Sequence, residues 1–232
     1  MEASVTFDRA GLVAGIRQTI PIAIGIFAYG LVFGALSCQA GMSLGEALFM
    51  SSFVFAGASQ FIAVELWQTP LPAITIIFTT LVINLRHILM GAALSPWFSR
   101  LGPWQAYGAL FFLSDESWAL TMGEFSKGHL NGAFLIGSGI VAFIAWTGST
   151  LLGQTVGAAL DDPAQWGLDF AFTAVFIALL VTLWRGKSDF LPWVVAAIVA
   201  IASSHWLPGN WYILSGGIIG SFVGALRHAD YS

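Results

Sequence analysis

Charge is scarce in this sequence: Asp, Glu, Lys and Arg make up 9% of 232 residues, against roughly a quarter in an ordinary soluble domain. So few charges cannot clothe a water-facing surface, and a mean hydropathy of +0.83 points into a bilayer. The eight Lys and Arg residues are dispersed, which excludes a basic face for nucleic acid. Cysteine occurs once, at Cys38. An intrachain disulfide and a cysteine-based metal site are therefore excluded, and Cys38 reads as a small packing residue. A phosphate-cradling Gly-Lys-Ser/Thr loop is also missing, which argues against ATP hydrolysis by the usual route. No cofactor and no resident metal are expected.

What is abundant is apolar residues and glycine. The 26 glycines are scattered through apolar runs, as suits helices whose backbones approach closely in lipid. Hydrophobic windows of membrane-crossing length fall near 19–38, 45–67, 71–95, 104–123, 132–157, 166–184, 190–206 and 210–227. The expected fold is an all-α polytopic membrane bundle of about seven or eight segments. Residues 1–18 form an amphipathic cytoplasmic lead-in without signal-peptide character, 19–227 a single transmembrane domain and 228–232 a tail. With eight crossings and a cytoplasmic N-terminus, Arg9, Arg17, Lys127, Arg185, Lys187 and Arg227 fall inside, and Arg100, Asp161 and Asp162 outside. An echo between 53–67 and 170–184 suggests an internal repeat, and in an eight-span chain its two copies would be parallel.

Polar residues inside these segments are the functional candidates, because lipid offers them no partners. In "FAGASQF" the small residues Gly57, Ala58 and Ser59 precede Gln60. Two readings stand: close helix packing with an interhelical hydrogen bond from Gln60, or a local break exposing backbone groups to the two ends of an amino acid. Glu65 is expected near the cytoplasmic end. In "TTLVINLRHILMG", Thr80, Asn84, His87 and Gly91 share one face. Arg86 either reaches the outer interface or pairs with a buried carboxylate. Asp115 and Glu116 lie mid-segment in "FFLSDESWAL"; one suits a pair with Arg86 and the other proton exchange, against a purely structural salt bridge. Thr147, Thr150 and Gln154 share a face and are weaker candidates to line the same cavity, as are Tyr29 and Gly25, Gly30 and Gly34 after Pro21, a proline read as lying near a helix start. Most tryptophans mark an interfacial belt.

Taken in order, "PIAIGIFAYGLVFGAL", "FAGASQF", "NLRHILMGAAL" and "LSDESWAL" resemble the AzlC family, the large subunits of bacterial branched-chain amino-acid exporters of the azaleucine-resistance type. The likeness spans most of residues 15–227. It implies a non-enzymatic transporter in the bacterial cytoplasmic membrane, exporting valine, leucine and isoleucine, with methionine as a further candidate, together with a small hydrophobic partner of the AzlD type. On that expectation Phe55, Gly57, Ala58, Ser59, Gln60, Phe61 and Asn84 form the substrate site, with Phe55 and Phe61 against the aliphatic side chain. Arg86, His87, Asp115 and Glu116 supply the ion pair or proton coupling of an antiporter. The competing readings are a passive amino-acid channel and, remotely, an intramembrane serine protease built on Ser59 and His87.

Overall fold

The computed structural model describes residues 5–159, 190–207 and 211–229, with a few isolated positions between 170 and 186. Apart from those positions, the expected span 166–184, the second copy of the echo, and Asp161, Asp162, Arg185, Lys187 and Tyr231 lie outside the described residues. Among the described residues there are nine helices: α1 (Arg9–Gln39), α2 (Leu44–Phe53), α3 (Gly57–Glu65), α4 (Ala73–Phe98), α5 (Pro103–Phe111), α6 (Asp115–Ser126), α7 (Ala133–Ala158), α8 (Phe190–Trp206) and α9 (Trp211–Ala229). The chain is an all-helical membrane bundle.

Three of these helices, α1, α4 and α7, are long and apolar enough to cross a membrane. At 1.5 Å per residue, α4 and α7 each reach about 39 Å. One end of the bundle gathers the start of α1, the close of α4 and the start of α7. There the Thr6 amide donates to the Leu130 carbonyl at 2.9 Å, and Leu94, Phe98, Phe125 and Leu135 share one core. Asp8 caps α1, accepting from the Ala10 and Gly11 amides at 2.8 and 3.1 Å. The Gly11 bond, then one from Asn131, holds the Asp8 carboxyl below its ordinary range. The opposite end gathers the close of α1, the start of α2, the end of α3 and the close of α7. Leu36, Met42 and Val64 pack together there, and Gln154 donates to the Met42 carbonyl at 2.9 Å.

The expected crossings at 45–67 and 104–123 are corrected by this arrangement, because each is a pair of half-helices that returns to the end where it began. Gly45, Glu46 and Phe49 at the start of α2 line a common depression with Trp67, just beyond α3. Phe125 of α6 packs against Trp97 and Phe98, beside the start of α5. Hydropathy cannot see this, since two half-helices and a short break add up to the length of a span. The α2–α3 hairpin enters from one end and the α5–α6 hairpin from the other, and their tips meet at mid-depth around Phe143, which contacts Phe55 at 5.3 Å and Phe112 at 6.0 Å between ring centroids. The starts Leu44, Gly57 and Ala73 recur at Pro103, Asp115 and Ala133 with a near-constant step. A hairpin followed by a crossing helix therefore occurs twice, with one crossing between equivalent elements, so the two copies are inverted. This repeat differs from the echo read at 53–67.

Between the hairpins, α1 and α7 run parallel through small residues. A Cβ on Gly15 would strike the Phe134 carbonyl, and one on Gly34 the Thr150 carbonyl. Thr19 bonds Ser138 at 2.8 Å across the same seam. Small residues are what permit this approach where lipid gives no hydrophobic drive. The helix α1 runs unbroken from Arg9, so residues 9–18 of the expected lead-in belong to it and Pro21 lies in its interior, not near its start. The outer face of α4 carries Ile74, Leu81, Ile88 and Leu89, all exposed, as a lipid-facing side requires. The helices α8 and α9 form an antiparallel pair, with Gly216 against Ala196 and Ala200 and Gly220 against Ala196 and Pro192.

Arg100 changes sides in this topology. It follows α4 and stands at the end shared by Arg9, Arg17 and Lys127, while Glu65 closes α3 at the opposite end. Eight crossings from a cytoplasmic N-terminus place Arg100 outside and Glu65 near the cytoplasmic end; here Arg100 shares the end of Arg9 and Glu65 stands at the other.

Candidate functional site

Each hairpin breaks for a local reason. In the second, Ser114 accepts from the Ser117 amide at 3.2 Å, and Ser117 Oγ accepts from the Ser114 amide at 2.8 Å. This reciprocal cap starts α6 and places Asp115 and Glu116 in its first turn, where the positive end of the helix favours them. In the first, Phe55 adopts a left-handed φ of 45°, unusual for a bulky residue. No side chain caps the first turn of α3, whose leading amides lack helical acceptors.

The two helix starts face a cavity of about 330 Å³ at mid-depth. Its polar part comprises Ala56, Gly57 and Ala58 at the start of α3, Ser114, Asp115 and Glu116 at the start of α6, and Arg86 and His87 at the middle of α4. Arg86 Nη1 lies 2.8 Å from Asp115 Oδ2, so the residues of "NLRH" and "SDES" meet as the pairing option held. Its apolar wall includes Ile22, Ile26, Tyr29, Phe55, Phe61 and Trp146. Gly25 also borders it, and a Cβ there would meet nothing within 4 Å. The cavity lining thus combines the uncapped start of α3, the acidic start of α6 and apolar side chains.

Several candidates stand elsewhere. Gln60 is fully buried and satisfies the fold: its Oε1 accepts from the Ala56 amide and from Trp146 Nε1, each at 3.1 Å, and its Nε2 donates to Ser51 at 3.2 Å. Ser59 is 1% exposed and donates to the Ala56 carbonyl at 2.9 Å. His87 Nδ1 sits 3.3 Å from the Asn84 carbonyl, so Ser59 and His87 do not form a nucleophile–base pair. Asn84 borders a second cavity rather than this one. Thr150 and Gln154 are buried against Ser51 and Met42 and line neither cavity; Gly30 and Gly34 pack on α7. Sequence reasoning passed over Ile22, Ile26, Ala142 and Trp146. Trp146 carried one signal, since it stands mid-segment while most tryptophans stand at segment ends.

Two inverted hairpins whose tips enclose a polar cavity in an apolar bundle define a polytopic membrane protein with an internal site at mid-depth. The AzlC protein family model matches residues 21–160, which contain both hairpins and the cavity, and the chain belongs to that family. A membrane protein of Archaeoglobus fulgidus is 30% identical over 75% of this chain and 76% of its own length. The Bacillus subtilis branched-chain amino acid transport protein AzlC is 24% identical over 84% of this chain and 77% of its own. The Escherichia coli inner membrane protein YgaZ is 25% identical over 95% and 91%. No solved structure matches the chain.

Proposed function

We propose that this chain is the large subunit of a secondary exporter of branched-chain amino acids, acting with a small hydrophobic AzlD-type subunit in a bacterial cytoplasmic membrane. The observation that carries the reading is an uncapped helix start and an acidic one lining the same largely apolar cavity. A zwitterion fits that pairing: its carboxylate meets the amides of Gly57 and Ala58, and its ammonium meets Glu116 and Asp115. Phe55, Phe61, Ile22 and Ile26 receive the aliphatic side chain. The cavity lies at the small end of ligand-site volumes. A wall of this kind discriminates weakly, about 1–3 kcal/mol per methylene, so valine, leucine and isoleucine are all substrates.

Arg9, Arg17, Arg100 and Lys127 gather at one end, which supports placing that end, and the N-terminus, in the cytoplasm. Protons are the driving ion in this reading. Protonation of Asp115 releases Arg86, and Glu116 exchanges the proton with the cavity. Moving one charge through the membrane field is worth about 2.3 kcal/mol per 100 mV.

The test is labelled valine uptake into inside-out vesicles, with and without the small subunit and an imposed pH gradient. Accumulation that needs an acidic lumen is expected. Equilibration indifferent to the gradient would indicate a passive channel, and no valine movement with the partner present would remove the substrate assignment.

A further inference from the structure

Trp146 stands in the wall of the cavity at mid-depth and is 7% exposed. Four contacts hold it. Its indole Nε1 donates to Gln60 Oε1 at 3.1 Å; Phe33 stacks on its ring with centroids 5.6 Å apart, and Phe61 meets it edge-on at 6.3 Å. Its outer edge reaches α3, since a Cβ on Gly57 would stand 3.1 Å from Trp146 Cη2. Gln60 is itself fixed, because its Nε2 donates to Ser51, Ser51 bonds Thr150 at 2.9 Å, and Thr150 donates to the Trp146 carbonyl at 2.8 Å. This circuit begins and ends on one residue and joins both half-helices of the first hairpin to α7. Satisfied buried networks rigidify what they hold.

A rigid wall and a yielding one act differently on an oversized guest. Phe55 borders the second cavity as well as the first, so it has space behind it. Trp146 is backed by Phe33, which is fully buried. A side chain too large for the space before Trp146 therefore meets overpacking, which a close-packed interior relieves poorly. The edge of the ring lies beside Gly57, whose amide receives the substrate carboxylate in the exporter reading, so Trp146 stands next to the α-carbon of a substrate bound there. We propose that Trp146 is the specificity-determining residue of this cavity, admitting aliphatic amino acids and excluding aromatic ones. This assignment rests on the exporter reading.

The experiment is equilibrium binding of labelled valine and labelled phenylalanine to the purified complex. The wild type is expected to bind valine about tenfold or more tightly than phenylalanine. Trp146→Phe shortens the ring and orphans no buried donor, because the Ala56 amide still bonds Gln60 Oε1. It should move the ratio of the two affinities toward phenylalanine by about tenfold or more. Adding Gly57→Ala, whose methyl enters the space that the outer ring leaves, should move the ratio back. A merely structural role for Trp146 would weaken both ligands alike. If Trp146→Phe does not fold, Trp146→Tyr carries the same comparison. Equal affinities in the wild type, or valine binding with an unmoved ratio in a folded variant, would overturn the role of Trp146 alone. Binding of neither amino acid by the wild type would remove the exporter reading, and this assignment with it.

Discussion

Gln60 directs its side-chain oxygen and nitrogen to the protein itself, bonding Ala56, Trp146 and Ser51. Gln60→Leu leaves the Ala56 amide and the Trp146 indole unpaired in the interior, at about 1–3 kcal/mol for each buried group. The expected result is a clearly lower unfolding temperature in detergent. Thr147 provides the opposite case, because its hydroxyl is buried and already without a partner. Thr147→Val keeps the shape and removes that orphan, so the same melt should show no loss. Asp115→Asn leaves Arg86 facing a neutral amide, and Glu116→Gln removes the remaining carboxylate at the start of α6. Both variants are expected to remain folded and to lose pH-driven valine accumulation; full accumulation by both would remove the coupling role. The charged candidates Arg86, Asp115 and Glu116 border one cavity, as charges with few tolerable positions in lipid must gather. For Gln60 and Ser59 the sequence left packing and binding open, because an uncharged polar side chain satisfies the protein as readily as a ligand; here both bond within the protein.

At the scale of elements, the glycines divide into two populations that sequence does not distinguish. On the α1–α7 seam Gly34 and Gly137 have opposing backbone where a Cβ would stand, whereas Gly148 has nothing within 4 Å. Gly34→Ala and Gly137→Ala should each lower the unfolding temperature and the yield of monodisperse protein, while Gly148→Ala, which gains helix propensity, should not. Equal behaviour of all three would show that the seam is not close-packed. The half-helices were legible in part. "SDES" is a cap written in sequence, and the small-residue run at 57–59 raised a break as one of two options. The reversal of direction at each break was not legible, because chain direction in a hairpin is set by contacts such as Trp97 with Phe125 across distant residues. The inverted repeat stayed hidden for the same reason: it is a recurrence of breaks and lengths, not of side chains.

For the whole molecule, the hairpins decide which loops share a face. Ala40 and Gln68 flank the α2–α3 hairpin and stand at one end; Arg100 and Lys127 flank α5–α6 and stand at the other. Eight successive crossings would instead separate Ala40 from Gln68. In a Cys38→Ser background, single cysteines at Ala40 and Gln68 should both react with an impermeant maleimide added to intact cells. Cysteines at Arg100 and Lys127 should react only after permeabilisation. Labelling that separates Ala40 from Gln68 would contradict the hairpin topology. The positive charges agree with the new arrangement better than with the old, since Arg100 no longer stands apart from Arg9, Arg17 and Lys127.

The central claim is that an aliphatic amino acid occupies the cavity between the hairpin tips. Gly25 allows the most direct test, because it borders that cavity and a side chain there would enter open space rather than a packed neighbour. Valine binding to the purified complex should be measured for the wild type and Gly25→Leu, beside the unfolding temperature of each. The account predicts that Gly25→Leu folds as the wild type does and loses valine affinity by about tenfold or more, the equivalent of about 1.4 kcal/mol. Unchanged valine affinity in a folded Gly25→Leu protein would place the substrate elsewhere.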